Sequence, residues 1–365
     1  MKDGREWTGV GDRVRECRLA ADMSQEQLAS AMNLDRTMIA KIETGVRRID
    51  ALELAKLSAI LKVPLSYFLS SPPPVVSRRT ELADDTVTDA TRQSYRLEIA
   101  LSTWLSDVQQ LIELGELAAP RIERYPETVE DTLSARSAAS WARGRLNLGL
   151  DPIDSMMSVC ERLGQLVAIV ETPGDGASLV EDDIAVAVVS SNGDPGRRRA
   201  TAAHELGHLI IGDEYSSDIG VHSSRAERES IIDSFSAELL LPIDTLTECV
   251  PAGPTTKRDI LITFAAKYRT SWSLTLRQAT EAGFIDRDAA KTLRQRNPTR
   301  AELMEAVGWA PQPDLEAVLV PPRYAHAVLQ TFKNGLITTS RAVEMMRGQV
   351  SAADLPARDY TDLEP

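Results

Sequence analysis

Two of the chain's four histidines fall in one five-residue word, His204-Glu205-Leu206-Gly207-His208. On a helix, positions i and i+4 project from the same face, so both imidazoles can reach one zinc ion. Glu205 stands one step round, where it can hold and deprotonate a water without ligating the metal. The flanks Ala202, Ala203, Leu206, Leu209, Ile210 and Ile211 are apolar and Gly212 stops the run, which predicts a buried helix.

A catalytic zinc takes three protein ligands and keeps its fourth position for water. The short spacing that brings a third histidine in metzincins is absent: Glu214 stands in its place, and Ile211 replaces the glycine which that motif needs. His222 and the acidic residues of the next helical stretch are the remaining candidates. Glu229 and Asp233 stand four apart, hence on one face, whereas Glu227 is offset by two and turns elsewhere. One carboxylate as ligand, with another gripping a ligand histidine by its second ring nitrogen, is a sensible pairing.

These residues need a scaffold. Leu166–Val170 and Ile184–Val189 are β-branched runs bounded by Gly, Asp and Asn, and read as strands. Ile153–Leu163 reads as a short helix, and a longer one begins near Tyr95. On it Leu97, Leu101, Trp104, Val108 and Leu111 alternate spacings of four and three, a seam for packing inside the chain or between two copies. Helical pattern resumes after Ser230. The expected class is mainly α with a small β-sheet (α+β). The expected division is 1–70, a linker 71–94 opening on Pro72-Pro73-Pro74, a helical connecting region 95–150, the metal-bearing core 151–285, and a helical C-terminal region 286–365.

The chain has 365 residues and a net charge of −13, which argues against nonspecific coating of nucleic acid. The charge is uneven. Residues 1–71 hold 11 Lys+Arg and 10 Asp+Glu, a balance of +1; the remainder holds 30 against 44, or −14. Only the N-terminal piece is electrostatically tolerable beside phosphates. No apolar run reaches eighteen residues and no signal-peptide pattern opens the chain. Cys17, Cys160 and Cys249 cannot form a disulfide framework, so a reduced cytoplasm and no membrane are expected.

In the N-terminal piece, Ser24 is a helix N-cap with Gln27 as its reciprocal capping-box partner. Leu28, Ala31 and Met32 form an apolar face. Asn33 tolerates the left-handed turn, Asp35 caps the next helix, and Gly45 ends it. The unit is a helix-turn-helix by spacing. Ser24-Gln25-Glu26-Gln27-Leu28-Ala29 and Ile39-Ala40-Lys41-Ile42-Glu43-Thr44-Gly45 resemble the Cro/lambda-repressor (XRE) family over about Val10–Leu69, with Asn33 where that family commonly has Gly. The resemblance implies a lambda-repressor-like helical bundle whose residues 35–44 enter the major groove of double-stranded operator DNA. Arg36, Thr37 and Lys41 would face bases or phosphates, Gln25 would touch the backbone, and a homodimer would read two half-sites.

His204–His208 followed by Glu229-Ser230-Ile231-Ile232-Asp233-Ser234-Phe235-Ser236-Ala237-Glu238-Leu239-Leu240-Leu241-Pro242 is similar to the ImmA/IrrE metallopeptidase family over about Ile153–Phe284. Ile232 replaces a usual alanine, which would crowd the helix pair. The resemblance fixes the phase: Glu229 as third ligand of Zn2+, Asp233 as partner of His204, and Glu205 activating water against a peptide carbonyl in a zincin-like core. The strand Ile184–Val189 would line the cleft and pair with an extended substrate. Tyr215, His222 and Tyr268 are candidates to polarise the oxyanion; His326 reads as structural. Ser271–Gly283 resembles the small helical element that completes this core. Together the two modules imply a DNA-binding regulator whose peptidase cleaves a repressor or antitoxin-like protein. The alternative is an autoregulatory repressor that binds operator DNA and a cognate toxin, with proteolysis absent or incidental.

Overall fold

Five helices open the chain: α1 (Asp3–Ala20), α2 (Gln25–Met32), α3 (Arg36–Glu43), α4 (Ala51–Leu61) and α5 (Leu65–Leu69). The computed structural model describes residues 3–69, 77–78, 89–212, 222–248, 256–308, 314–315 and 319–358. The α2–α3 turn forms as its residues dictate. Ser24 and Gln27 make the reciprocal capping box, and Asn33 adopts φ 59°. Asp35 occupies the N-cap of α3 without a side-chain capping bond. The inward face of α2 is Leu28, Ala29 and Met32, so Ala29 takes the place expected of the exposed Ala31. A buried ion pair locks α1 to α3: Arg18 Nε donates to Glu43 Oε1 across 2.6 Å.

Beyond this bundle come β1 (Ser77–Arg78), α6 (Asp89–Glu113), α7 (Thr132–Arg145), α8 (Met156–Arg162), β2 (Gln165–Val170), β3 (Gly176–Glu181) and β4 (Ile184–Ser190). The helices α9 (Pro195–Ile211), α10 (His222–Leu240), α11 (Ile243–Glu248), α12 (Lys257–Tyr268), α13 (Trp272–Glu281), α14 (Arg287–Arg294) and α15 (Arg300–Val307) follow. Last come α16 (Pro322–Lys333) and α17 (Thr339–Met345). The class is α+β.

The strands stand in the order β1-β3-β4-β2, with β2 parallel to β4 and the other pairs antiparallel. Both faces of the sheet are covered, which is why Leu166–Val170 of β2 and Ile184–Val189 of β4 are continuous apolar runs rather than alternating. Val167, Ile169, Ala185, Ala187 and Val189 join a core with α7, α8, α9 and α10. Leu166, Ala168, Val186 and Val188 join a second core with α6, α16 and α17. There Trp104 stacks on Tyr324 with centroids 4.4 Å apart, and its Nε1 donates to the Leu166 carbonyl at 2.9 Å.

The α6 seam of Leu97, Leu101, Trp104, Val108 and Leu111 is therefore buried within the chain. The same helix also braces the N-terminal bundle. Arg92 pairs with Asp22 at 2.8 Å, Arg96 Nε donates to the Ala20 carbonyl, and Ile99 packs on the bundle's core. No described helix is long and apolar enough to cross a membrane. Cys17 and Cys160 are buried, unbridged thiols, pushed far above the usual thiol range chiefly by burial. Cys249 lies outside the described residues.

Candidate metal centre

Helix α9 starts at Asp194, whose carboxylate accepts from the Arg197 N–H at 3.1 Å, with Pro195 in the first turn. It ends at Gly212 with φ 71°. Between those caps it runs almost wholly buried under the sheet, and Arg199 anchors it by pairing with Asp314 and donating to the Ile153 carbonyl. His204, Glu205 and His208 are at most 1% exposed.

Helix α10 crosses beside it, and the approach is tight at Gly207. A Cβ there would lie 2.9 Å from Phe235 Cδ1 and 3.1 Å from Ile232 Cγ2. The missing side chain at Gly207 thus makes room for the bulk of Ile232, the position expected to crowd this pair. Arg277 on α13 pins the same turn of α10, donating to the Asp233 carbonyl at 2.7 Å.

The outcome is convergence. His204, His208 and Glu229 offer ligand atoms all within 4.8 Å of one another. His204 Nε2 lies 3.2 Å from His208 Nε2 and 3.1 Å from Glu229 Oε2. On its other side, His204 Nδ1 lies 3.0 Å from Asp233 Oδ1. With Nδ1–H donating to that carboxylate, Nε2 would present its lone pair toward His208 and Glu229. Two nitrogens bound tetrahedrally at ordinary zinc–nitrogen lengths would stand about 3.3 Å apart. The residues present fit a zinc ion.

Glu205 does not join that set. Its Oε2 accepts a hydrogen bond from Ser178 Oγ at 2.7 Å, while buried Oε1 has no hydrogen-bond partner among the described residues. A buried carboxylate oxygen with no partner among the described residues is suited to accept a water's proton. Gly176, one strand position before Ala177, keeps the space over it clear. A Cβ at Gly176 would sit 3.4 Å from Glu205 Oε1 and 2.6 Å from Thr201 Cγ2. From β2, buried Gln165 donates Nε2 to the Glu205 carbonyl at 3.1 Å and steadies the helix turn.

Of the remaining sequence candidates, Glu227 is exposed on α10. His222 opens α10, but its side chain, like all of Tyr215, lies outside the described residues. Tyr268 is buried and its hydroxyl donates to the Leu150 carbonyl at 2.6 Å, so that proton serves the core rather than an oxyanion. His326 sits exposed on α16. The strand expected to receive substrate needs correction: β4 lies between β3 and β2, with both backbone edges already paired. The strand beside Glu205 on the outer side is β3.

In the N-terminal bundle, Arg36, Thr37 and Lys41 are exposed along α3. Gln25 is half-buried instead, and its Nε2 donates to Glu43 Oε2 at 2.8 Å. Its amide is thereby engaged within the bundle beside the Arg18–Glu43 pair.

A helical N-terminal bundle with a turn-linked helix pair, joined to a sheet-and-helix core with a histidine–carboxylate cluster, is the class of protein that these features define. Comparison with known proteins agrees with both parts. Residues 14–68 match the helix-turn-helix family, and residues 160–279 match a peptidase family described as the IrrE N-terminal-like domain. Through its head the chain belongs to the helix-turn-helix family, and its core is similar to the IrrE N-terminal-like domain over residues 160–279. It is 39% identical over 64 residues to an HTH-type transcriptional regulator of Sinorhizobium medicae, covering 18% of this chain and 46% of that one. It is 41% identical over 61 residues to a transcriptional regulator in the ATPase CF(0) region of Rhodospirillum rubrum, covering 17% and 56%. It is 38% identical over 61 residues to the control protein C.MunI of a Mycoplasma species, covering 16% and 82%. The chain thus spans about half the length of the first two relatives.

Proposed function

We propose that the protein is a DNA-binding regulator with a zinc-dependent endopeptidase core. The observation that carries this reading is the division of labour on α9. His204 and His208 face Glu229, while Glu205 between them stays out of the ligand set with Oε1 unpartnered. A purely structural zinc site needs ligands but no dry general base beside them. Bound zinc would polarise the scissile carbonyl and lower the pKa of water. Asp233 fixes the His204 ring and Ser178 fixes Glu205, so neither group must reorganise during the reaction. Glu205 takes the proton from water and later delivers it to the departing amine.

The exposed Arg36, Thr37 and Lys41 on α3 are placed to meet major-groove bases and phosphates. A repressor or antitoxin-like protein is the substrate class that a DNA-binding head favours, since cleavage would then act where transcription is controlled. The experiment pairs wild type with Glu205→Gln, each with zinc content measured, against a purified helix-turn-helix repressor. Cleavage by wild type alone, at equal zinc content, is expected. No cleavage by either zinc-loaded form would leave a regulator that acts by binding DNA and a toxin partner.

A further inference from the structure

The edge of β3 beside Glu205 is already paired, and its occupant is the chain's own connection between head and core. Strand β1 lies antiparallel to β3 with Ser77 opposite Ser178 and Arg78 opposite Ala177. Ser178 is the residue whose hydroxyl holds Glu205, and Gly176, two positions before it, carries the space over Glu205 Oε1. An extended backbone at this edge therefore lies one strand spacing from the strand that holds the general base, paired antiparallel as β-strand addition pairs a peptide substrate.

The connection does not need to go there to join the two parts. Helix α5 packs on α6, and the first turns of α6 lie against the bundle through Arg92–Asp22 and Arg96–Ala20. Helix α5 ends at Leu69 and α6 begins at Asp89, both helices pack on the bundle, and Ser77–Arg78 between them pairs with β3. Only two residues pair, so the backbone pairing is short and weakly held.

We infer that the chain is a substrate of its own peptidase core, cut at or beside Ser77–Arg78, so that the helix-turn-helix head is severed from the rest. This rests on the peptidase reading above. In the step, Glu205 takes a proton from water as the water oxygen bonds to the scissile carbonyl carbon. The carbon–nitrogen bond then breaks and that proton passes to the leaving nitrogen. One water is consumed, leaving a new carboxylate on the head fragment and a new amine on the core fragment.

The test uses the full-length chain, metal-stripped and then supplied with Zn2+, beside Glu205→Gln, with intact-mass spectrometry as readout. A cut within residues 70–88 in wild type alone, first order and independent of protein concentration, is expected. A second readout needs no activity. In metal-stripped Glu205→Gln protein, hydrogen exchange at the β3 amides that face β1 should be slow, and should speed up by about tenfold or more when Ser77→Pro and Arg78→Pro break the β1 pairing. An intact chain that still cleaves added casein in a Glu205-dependent way overturns self-cleavage and leaves the peptidase standing. Cleavage of neither casein nor the chain overturns both. Unchanged exchange in the proline variant shows that β1 does not occupy the edge and overturns the inference on its own.

Discussion

Ser178 Oγ donates to Glu205 Oε2 across 2.7 Å, joining β3 to the middle of the histidine helix. The bond leaves Oε1 as the carboxylate oxygen that can face water. Ser178→Ala removes the donor without touching a ligand. Turnover should fall about tenfold, the lower end of what outer-shell contacts contribute, with zinc stoichiometry unchanged. Steady-state kinetics beside metal analysis checks this; loss of zinc together with turnover would assign Ser178 to the ligand scaffold instead.

On the proposed reading, Asp233 would act on the metal rather than on the base. Its Oδ1, 3.0 Å from His204 Nδ1, sets which ring nitrogen carries the proton. Asp233→Ala should weaken zinc binding about 10–100-fold, measured by competition with a chromogenic chelator. Turnover should recover at saturating zinc, because Glu205 and its Ser178 contact remain.

The histidine word was legible because helical spacing places both imidazoles on one face, whereas Glu229 and Asp233 needed the family resemblance as well to fix the phase. Strands β2 and β4 were legible as β-branched runs. Strand β3 was not, and with it Ser178 was missed. Its sequence, Gly176-Ala177-Ser178-Leu179-Val180-Glu181, puts small residues where α9 presses close, so composition loses its strand signal. The signal that could have found it is the following pair Asp182-Asp183. Both adopt positive φ, 48° and 61°, and close a two-residue hairpin onto Ile184. With β3 unseen, β4 was assigned an edge that it does not have. Gln25 misled for a different reason. Its position in the helix pair suits a phosphate contact, but sequence spacing does not reveal that Glu43, eighteen residues on, accepts from its amide.

Gly207 sets the distance between the two ligand-bearing helices. An added methyl would meet Phe235 at 2.9 Å and Ile232 at 3.1 Å, both buried in a packed core. Gly207→Ala should cost about 1–3 kcal/mol of stability by overpacking, despite the better helix propensity of alanine. It should also weaken zinc binding, since Glu229 and Asp233 ride on the helix that is pushed away. Ile232→Ala in the same chain should restore part of both. Thermal melts and zinc competition on the single and double variants give the coupling.

Lys41 is exposed on α3, one helical turn beyond Thr37. As a phosphate contact, it adds affinity through counterion release and carries little sequence preference. Lys41→Ala should weaken binding to any DNA duplex and lower the slope of log affinity against log salt by about one. Arg36→Ala tests base contact: it should instead reduce discrimination between operator and random duplex. Fluorescence anisotropy over a salt series separates the two. Equal slopes for wild type and Lys41→Ala would remove Lys41 from the interface.

Acid should loosen one joint before the others. The Arg258 guanidinium, donating to Glu302 Oε1 at 2.6 Å, holds the Glu302 carboxyl down to about 2, with help from the Thr299 N–H. This ties α15 to α12, at the side of the core remote in sequence from the metal ligands. Because the folded value is depressed, the pair's contribution is fully present above the ordinary carboxylate value of about 4.3. It is lost as pH falls from there toward about 2. The group is solvent-exposed, so the effect on global stability is small. It is best read as a difference between wild type and Glu302→Gln in urea unfolding at stepped pH. The two should diverge at neutral pH and converge on acidification. A gap that stays constant down to about pH 2 would mean that Arg258 does not hold Glu302 ionised.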